Sequence, residues 1–352
     1  MSKNIKNKRR KIVENSSCKG RLFLCKKGLN SLSFLKSRLE FICYNGVMKR
    51  IRNQVRSKCD GLNLDYVMIL PEQVKGIIQI SHGMCEHKER YIPFMEYLAE
   101  YHYASIIHDH RGHGRSVQQK EDFGYFYDDS GSYIVEDLYV VAQEIKKLYP
   151  DVPFFLFGHS MGSLVVQNYM QKYDNRLDGL IVCGAPCKNS FVGVGIQIVQ
   201  WLEKIKGNRY RSTFVEKLST GNFDHSFPGT LKNRWISANK ENVLKYNEDP
   251  ACGFRFTLNG YKNLFILLKQ TYTKEGWVKK NLELPILFIA GQDDPVIGNE
   301  KVWKQAQKFI QEQGYMHVSG ILFEGLRHEI LNEKENRKVY DTILDFLEAT
   351  YD

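Results

Sequence analysis

Residues 154–165 read FFLFGHSMGSLV: an apolar run breaks at Gly158-His159-Ser160-Met161-Gly162 and then resumes with helical spacing. A strand, a sharp turn and a helix in that order form a nucleophile elbow, which projects a serine hydroxyl to where a base and an oxyanion trap converge. Such a turn leaves no room for side chains on its flanks. Gly158 and Gly162, two residues either side of Ser160, meet that demand. Met161 opens the helix, so its N–H is placed to face a developing oxyanion. The bare G-x-S-x-G is a weak signal, and the strand before it and helix after it make it specific.

Outward from the elbow, strand and helix signals alternate. Asp60-Gly61 separates two strand-like runs, 51–59 and 62–70, as a hairpin turn at one sheet edge. Short apolar runs at 76–80, 104–107, 153–157, 180–183, 285–290 and 320–323 follow, with helical patterns such as 132–148 and 162–172 between them. This spacing predicts an α/β fold with a mostly parallel, doubly wound sheet. Residues 187–282, after the sixth strand, read as a helical insertion. Ligands of such sheets sit beyond the carboxyl ends of the strands, so chemistry is expected just after each apolar run.

That rule selects partners for Ser160. With an acid and then a histidine following the serine in chain order, His225, His317 and His328 are the available bases. His225 falls in the insertion and His317 precedes its strand; His328, in FEGLRHEILNE, directly follows the last one. After the strand LPILFIA, Asp293 and Asp294 both qualify as the acid, and Asp294 is the expected one. After GIIQIS comes His82-Gly83-Met84; glycine at Gly83 lets the backbone approach a substrate, and the Met84 N–H becomes the second oxyanion donor.

HGMCEHKERY (82–91), DHRGHGRS (109–116), FGHSMGS, AGQDDPV and GLRHEILNE, in this order, resemble the α/β-hydrolases of the monoacylglycerol lipase and lysophospholipase type, often grouped with serine aminopeptidases. The resemblance spans about residues 50–352. It implies a Ser160, Asp294, His328 triad, oxyanion amides at Met84 and Met161, no cofactor or metal, and a helical cap at 187–282 set into a core of 48–186 and 283–352. It further implies hydrolysis of a small-molecule carboxylic ester or lipid, with aminopeptidase action as the alternative. Cys85 stands where the lipase members often carry glycine.

Composition narrows the rest. The chain has 352 residues, 43% of them hydrophobic, enough for one large domain with an insertion. Its eight cysteines show no C-x-x-C spacing and no apolar segment follows the basic N-terminus as in a secretory signal, so reduced thiols and a cytoplasmic location are expected. Residues 1–47 hold 12 Lys or Arg against two Glu, which accounts for the whole net charge of +10. This extension reads as a disordered basic tail, against two rivals, a targeting leader and a contact with anionic lipid through the stripe Leu29, Leu32, Leu35, Leu39 and Ile42. Nucleic acid is not expected, because residues 48–352 sum to zero.

In the cap, Val192, Ile196, Val199 and Leu202 lie at helical spacing and fit an acyl-chain tunnel or the cap's own packing equally well. The cap holds 16 Lys or Arg against seven Asp or Glu, which disfavours capture of a free amine. Two readings of other classes compete. His108-Asp109-His110 with His113 offers zinc ligands, but leaves the elbow unexplained. A non-catalytic binder of the same fold leaves it unexplained too.

Overall fold

The computed structural model describes residues 40–44, 48–220 and 223–350. Nine strands form one sheet: β1 (Glu40–Tyr44), β2 (Met48–Arg56), β3 (Asn63–Pro71), β4 (Gly76–Ser81), β5 (Tyr103–His108), β6 (Phe154–His159), β7 (Gly179–Cys183), β8 (Ile286–Gly291) and β9 (Val318–Phe323). Their order across the sheet is β1-β2-β3-β5-β4-β6-β7-β8-β9. The β1/β2, β2/β3 and β3/β5 pairs are antiparallel and all others parallel. The hairpin read at Asp60-Gly61 and all six later strands are present.

Burial on both faces explains why the central strands read as unbroken apolar runs. In β6, Leu156 joins the core on one face of the sheet, while Phe155 and Phe157 join that on the other. Helices α1 (Ile92–Glu100) and α9 (Asn336–Ala349) cover the second face; α2 (Tyr133–Lys146), α3 (Met161–Tyr173) and α8 (Glu300–Glu312) cover the first. Each fully buried Phe or Leu contributes about 1.5–3 kcal/mol, so the cores fix strand register firmly.

Between β7 and β8 the chain runs through α4 (Val192–Lys206), α5 (Thr213–Thr220), α6 (Lys240–Glu248) and α7 (Leu258–Thr271). Helix α4 packs along α7, where Lys262 bonds Glu203 at 2.8 Å. Val199 is buried and Leu202 packs beside it; none of Val192, Ile196, Val199 and Leu202 lines the cavity described below. Val199 and Leu202 are therefore packing, and none of the four lines a tunnel from this cavity.

One expectation needs correction. Residues 40–44 belong to the extension read as disordered, yet they form the edge strand β1, paired from Glu40↔Arg52 to Tyr44↔Met48. The segment EFICY is rich in β-formers, and β2 would otherwise present an open ladder. The helical stripe ending at Ile42 thus gives way to strand there, while its earlier residues and the rest of the tail lie outside the described residues. With β1 counted, the sixth strand of the sequence reading is β7.

Candidate active site

The carboxyl ends of β4, β6, β8 and β9 bring the expected site residues together. Ser160 sits between β6 and α3 with φ 54° and ψ −119°. A positive φ at a non-glycine residue costs on the order of 1–3 kcal/mol and persists only where the surroundings impose it. Here they do: the Ser160 N–H donates to the Cys183 carbonyl at 2.9 Å, and a Cβ at Gly162 would meet the Ser81 carbonyl oxygen at 2.0 Å. At Gly158 a Cβ would strike the Gly162 carbonyl oxygen at 2.4 Å. The flanking glycines are steric necessities of the turn.

His328 lies on the loop after β9, buried, with Nδ1 2.8 Å from Asp294 Oδ2. Asp294 is itself buried and its Oδ1 accepts the Val296 N–H at 2.9 Å, so both carboxylate oxygens are held. The neighbouring Asp293 is exposed. His317 is exposed and pairs with Glu283, and His225 is exposed in the insertion. Ser160 and His328 line one cavity of about 480 Å³, with Gly83, Met84 and Met161 in the same wall. Among the described residues neither the Met84 nor the Met161 N–H has a protein acceptor. Two unused donors beside a strained serine leave room for an oxygen that carries charge.

Residues the sequence reading did not single out hold this arrangement. Glu86 Oε1 accepts the Gly83 N–H at 2.6 Å and the Tyr91 hydroxyl at 2.8 Å, and lies 3.3 Å from His159 Nδ1. His159 Nε2 faces the His328 carbonyl at 3.1 Å, so that nitrogen donates. Burial opposes charge on His159, but the Glu86 bond and charge outweigh it and hold the imidazole above its ordinary pKa. Burial likewise opposes the Glu86 carboxylate, and His159 with Arg90 brings it well below the usual range. Arg90 bonds Glu86 at 2.8 Å and grips both oxygens of Glu329 at 2.6 Å. The Trp235 ring, from the insertion, lies 5.1 Å from the His328 ring. The spacing of Glu86 and Arg90, four residues apart in HGMCEHKERY, was the one available signal.

Three of the four zinc candidates are engaged otherwise, and His108 is buried with neither ring nitrogen bonded among the described residues. Asp109 accepts from Lys88 Nζ at 2.6 Å and from the Lys88 and Arg115 amides. His110 Nε2 pairs with Ser81 Oγ at 2.8 Å, and His113 Nε2 accepts the Cys85 N–H at 3.3 Å. No three ligand atoms of His108, Asp109, His110 and His113 converge within 4.8 Å.

The family described as serine aminopeptidase, S33, matches residues 72–335. A monoacylglycerol lipase of Mycolicibacterium smegmatis is 25% identical over 82% of this chain and 93% of its own length. The monoglyceride lipase of Rattus norvegicus is 26% identical over 77% and 80%. Among solved structures, a carboxyl esterase of Bacillus coagulans in complex with glycerol superposes with a TM-score of 0.78 at 25% identity, covering 86% of this chain and 99% of that one. Monoglyceride lipase of Saccharomyces cerevisiae with a substrate analogue gives 0.64 at 20% identity, over 89% and 94%. With a match across most of its length and an α/β-hydrolase sheet carrying the elbow, the chain belongs to the serine aminopeptidase S33 family.

Proposed function

We propose that the protein hydrolyses carboxylic esters of a single acyl chain, as a monoacylglycerol lipase, lysophospholipase or carboxylesterase, through an acyl-enzyme on Ser160. The observation that carries this reading is the strained Ser160 sharing a cavity with the His328–Asp294 pair and two unused amides. His328 takes the hydroxyl proton as Ser160 attacks the acyl carbonyl; Asp294 fixes the tautomer and stabilises the imidazolium. The Met84 and Met161 N–H groups bind the tetrahedral oxyanion. The proton then passes to the leaving alkoxide, and water, activated by the same histidine, releases the acid.

The wall supports an ester more than an amine-bearing peptide. Leu164, Leu264, Phe265 and Leu268 supply apolar lining for an acyl chain. Its three carboxylates are held by arginines: Glu216 by Arg255 at 2.6 Å, and Glu86 and Glu329 by Arg90. Residues 187–282 act as the lid over the core of 48–186 and 283–352. The lid carries a surplus of nine positive charges and a partly exposed apolar helix, which favours transient contact with an anionic membrane surface. A cytoplasmic location belongs to the same proposal, supported by free thiols at Cys59, Cys85, Cys183, Cys187 and Cys252. No helix of the described residues is long and apolar enough to cross a membrane.

Ser160→Ala is expected to abolish turnover of short p-nitrophenyl esters, and substantial residual turnover would refute the assignment. Comparing monoacylglycerols, lysophospholipids, short esters and aminoacyl anilides then ranks the substrates; preference for the anilides would return the aminopeptidase reading.

A further inference from the structure

His87, Asp249 and Cys252 bring an imidazole nitrogen, a carboxylate oxygen and a thiol sulfur within 4.8 Å of one another, the one such group of three among the described residues. His87 lies three residues after Met84, on the loop that leaves β4; Asp249 and Cys252 form the turn that ends α6 in the lid. None of the three enters the proposed hydrolysis.

The turn is already shaped to present ligands. Asp249 Oδ1 accepts the Ala251 N–H at 2.8 Å and its carbonyl accepts the Cys252 N–H at 3.0 Å. That leaves Oδ2 free to face His87 Nε2 at 2.8 Å. Cys252 also lines a second cavity, of about 380 Å³. The local charge leans negative: Arg90 is nearby but bound by Glu86 and Glu329, and with Asp249 the three carboxylates exceed Arg90 and Lys232, the cation in the second cavity's wall, by one.

We propose that His87, Asp249 and Cys252 form a binding site for a borderline or soft divalent metal of the zinc class, clamping the lid turn to the loop that carries Met84. Nitrogen, oxygen and sulfur ligands of tetrahedral zinc lie roughly 3.4 Å apart around the ion, so closure from the present spread needs about 1 Å of side-chain rotation. A fourth position stays open to water on the cavity side. Binding displaces the thiol proton and the His87–Asp249 hydrogen bond, and gives a closed lid a metal-dependent stability that ester turnover itself does not require.

The test reads metal rather than hydrolysis, so its result is separate from that of Ser160→Ala. The purified full chain, freed of metal with chelator, is titrated with Zn²⁺ and with Co²⁺, alongside Cys252→Ser and His87→Gln. The native chain is expected to bind one ion that each variant binds about tenfold more weakly or worse. Co²⁺ is expected to give a thiolate-to-metal charge-transfer band that Cys252→Ser lacks, with p-nitrophenyl ester turnover in chelator kept by both variants as the check of folding. Absence of that band in the native chain, or equal affinity in all three proteins, overturns the site.

Discussion

Glu86 Oε1 and His159 Nδ1 lie 3.3 Å apart in a buried ion pair that ties three sequence-distant loops together. Glu86 holds Gly83, beside the first oxyanion amide, while His159 holds the carbonyl of His328. The elbow, the donor loop and the base loop thus share one pair of side chains. Glu86→Gln keeps the shape but loses the charge that raises the His159 imidazole pKa. Removing one partner of a buried pair costs about 3–5 kcal/mol, and a donor misplaced by about 1 Å costs roughly a hundredfold in rate. The variant is expected to melt lower and to lose kcat on a soluble ester far more than it raises KM, as steady-state kinetics will read.

Acid stability follows from a different group of histidines. His82, His108, His110 and His113 are all buried, and burial lowers each, His108 and His113 to about 3. Unfolded imidazoles take up protons near pH 6.5 while these do not, so their stabilisation is complete above that pH and falls as pH drops below it. Glu86, depressed, adds stability that is lost as pH falls further, through its folded pKa. His159 has the opposite sign: its contribution is present below 6.5 and is lost as pH rises through its raised folded value. Four groups against one make the acid limb the steeper. Thermal melts from pH 8 to 5 should fall progressively below about 6.5; a melting point that rises toward pH 5 contradicts this account.

The strands, the elbow and the His328–Asp294 contact were legible because each depends on local sequence. Apolar runs mark strands buried on two faces, and the strand-end rule leaves few histidines and carboxylates to choose from. Of the two aspartates after β8, the expected Asp294 is the one that meets His328, and Asp293 is exposed. What stayed hidden depends on distant partners. Glu86 reads as a surface acid until His159, 73 residues away, is known to face it. The role of Val199 was equally open, because a helix apolar on both faces gives no sign of which face meets α7. Edge strand β1 stayed hidden because its charged approach outweighs three β-forming residues, Phe41, Ile42 and Tyr44.

Cys85 shows how one position can accept a residue that its backbone disfavours. Its φ is 57°, in the left-handed region, yet its thiol donates to the Phe254 carbonyl at 2.8 Å and its carbonyl accepts the Gly253 N–H at 2.9 Å. The lid is thereby fastened to the donor loop. Glycine removes about 1 kcal/mol of backbone strain but also the thiol bond, worth about as much, and the contacts of a buried core side chain. Cys85→Gly should therefore destabilise by about 1 kcal/mol, the share of the buried side chain. Cys85→Val, β-branched at positive φ and without the donor, should destabilise by clearly more, and equal midpoints for the two in urea denaturation would contradict this balance.

The lid's outer surface carries the last prediction. On α4 and the residue before it, Phe191, Val194, Trp201 and Ile205 stand 77%, 52%, 61% and 55% exposed, along the face away from Val199 and Leu202. Phe214 and Leu218 of α5 are also exposed, four residues apart. Lys188, Lys204, Lys206 and Lys217 neighbour these side chains in the sequence. An apolar stripe bordered by cations is suited to lie at an anionic lipid interface, where each nearby cation adds about 1 kcal/mol. Trp201 does not line the catalytic cavity. Trp201→Ala should weaken sedimentation with phosphatidylserine-containing vesicles by roughly five- to thirtyfold, about 1–2 kcal/mol of apolar contact. It should leave turnover of a soluble ester unchanged. Equal vesicle binding by the native chain and the variant would remove α4 from any membrane-facing role.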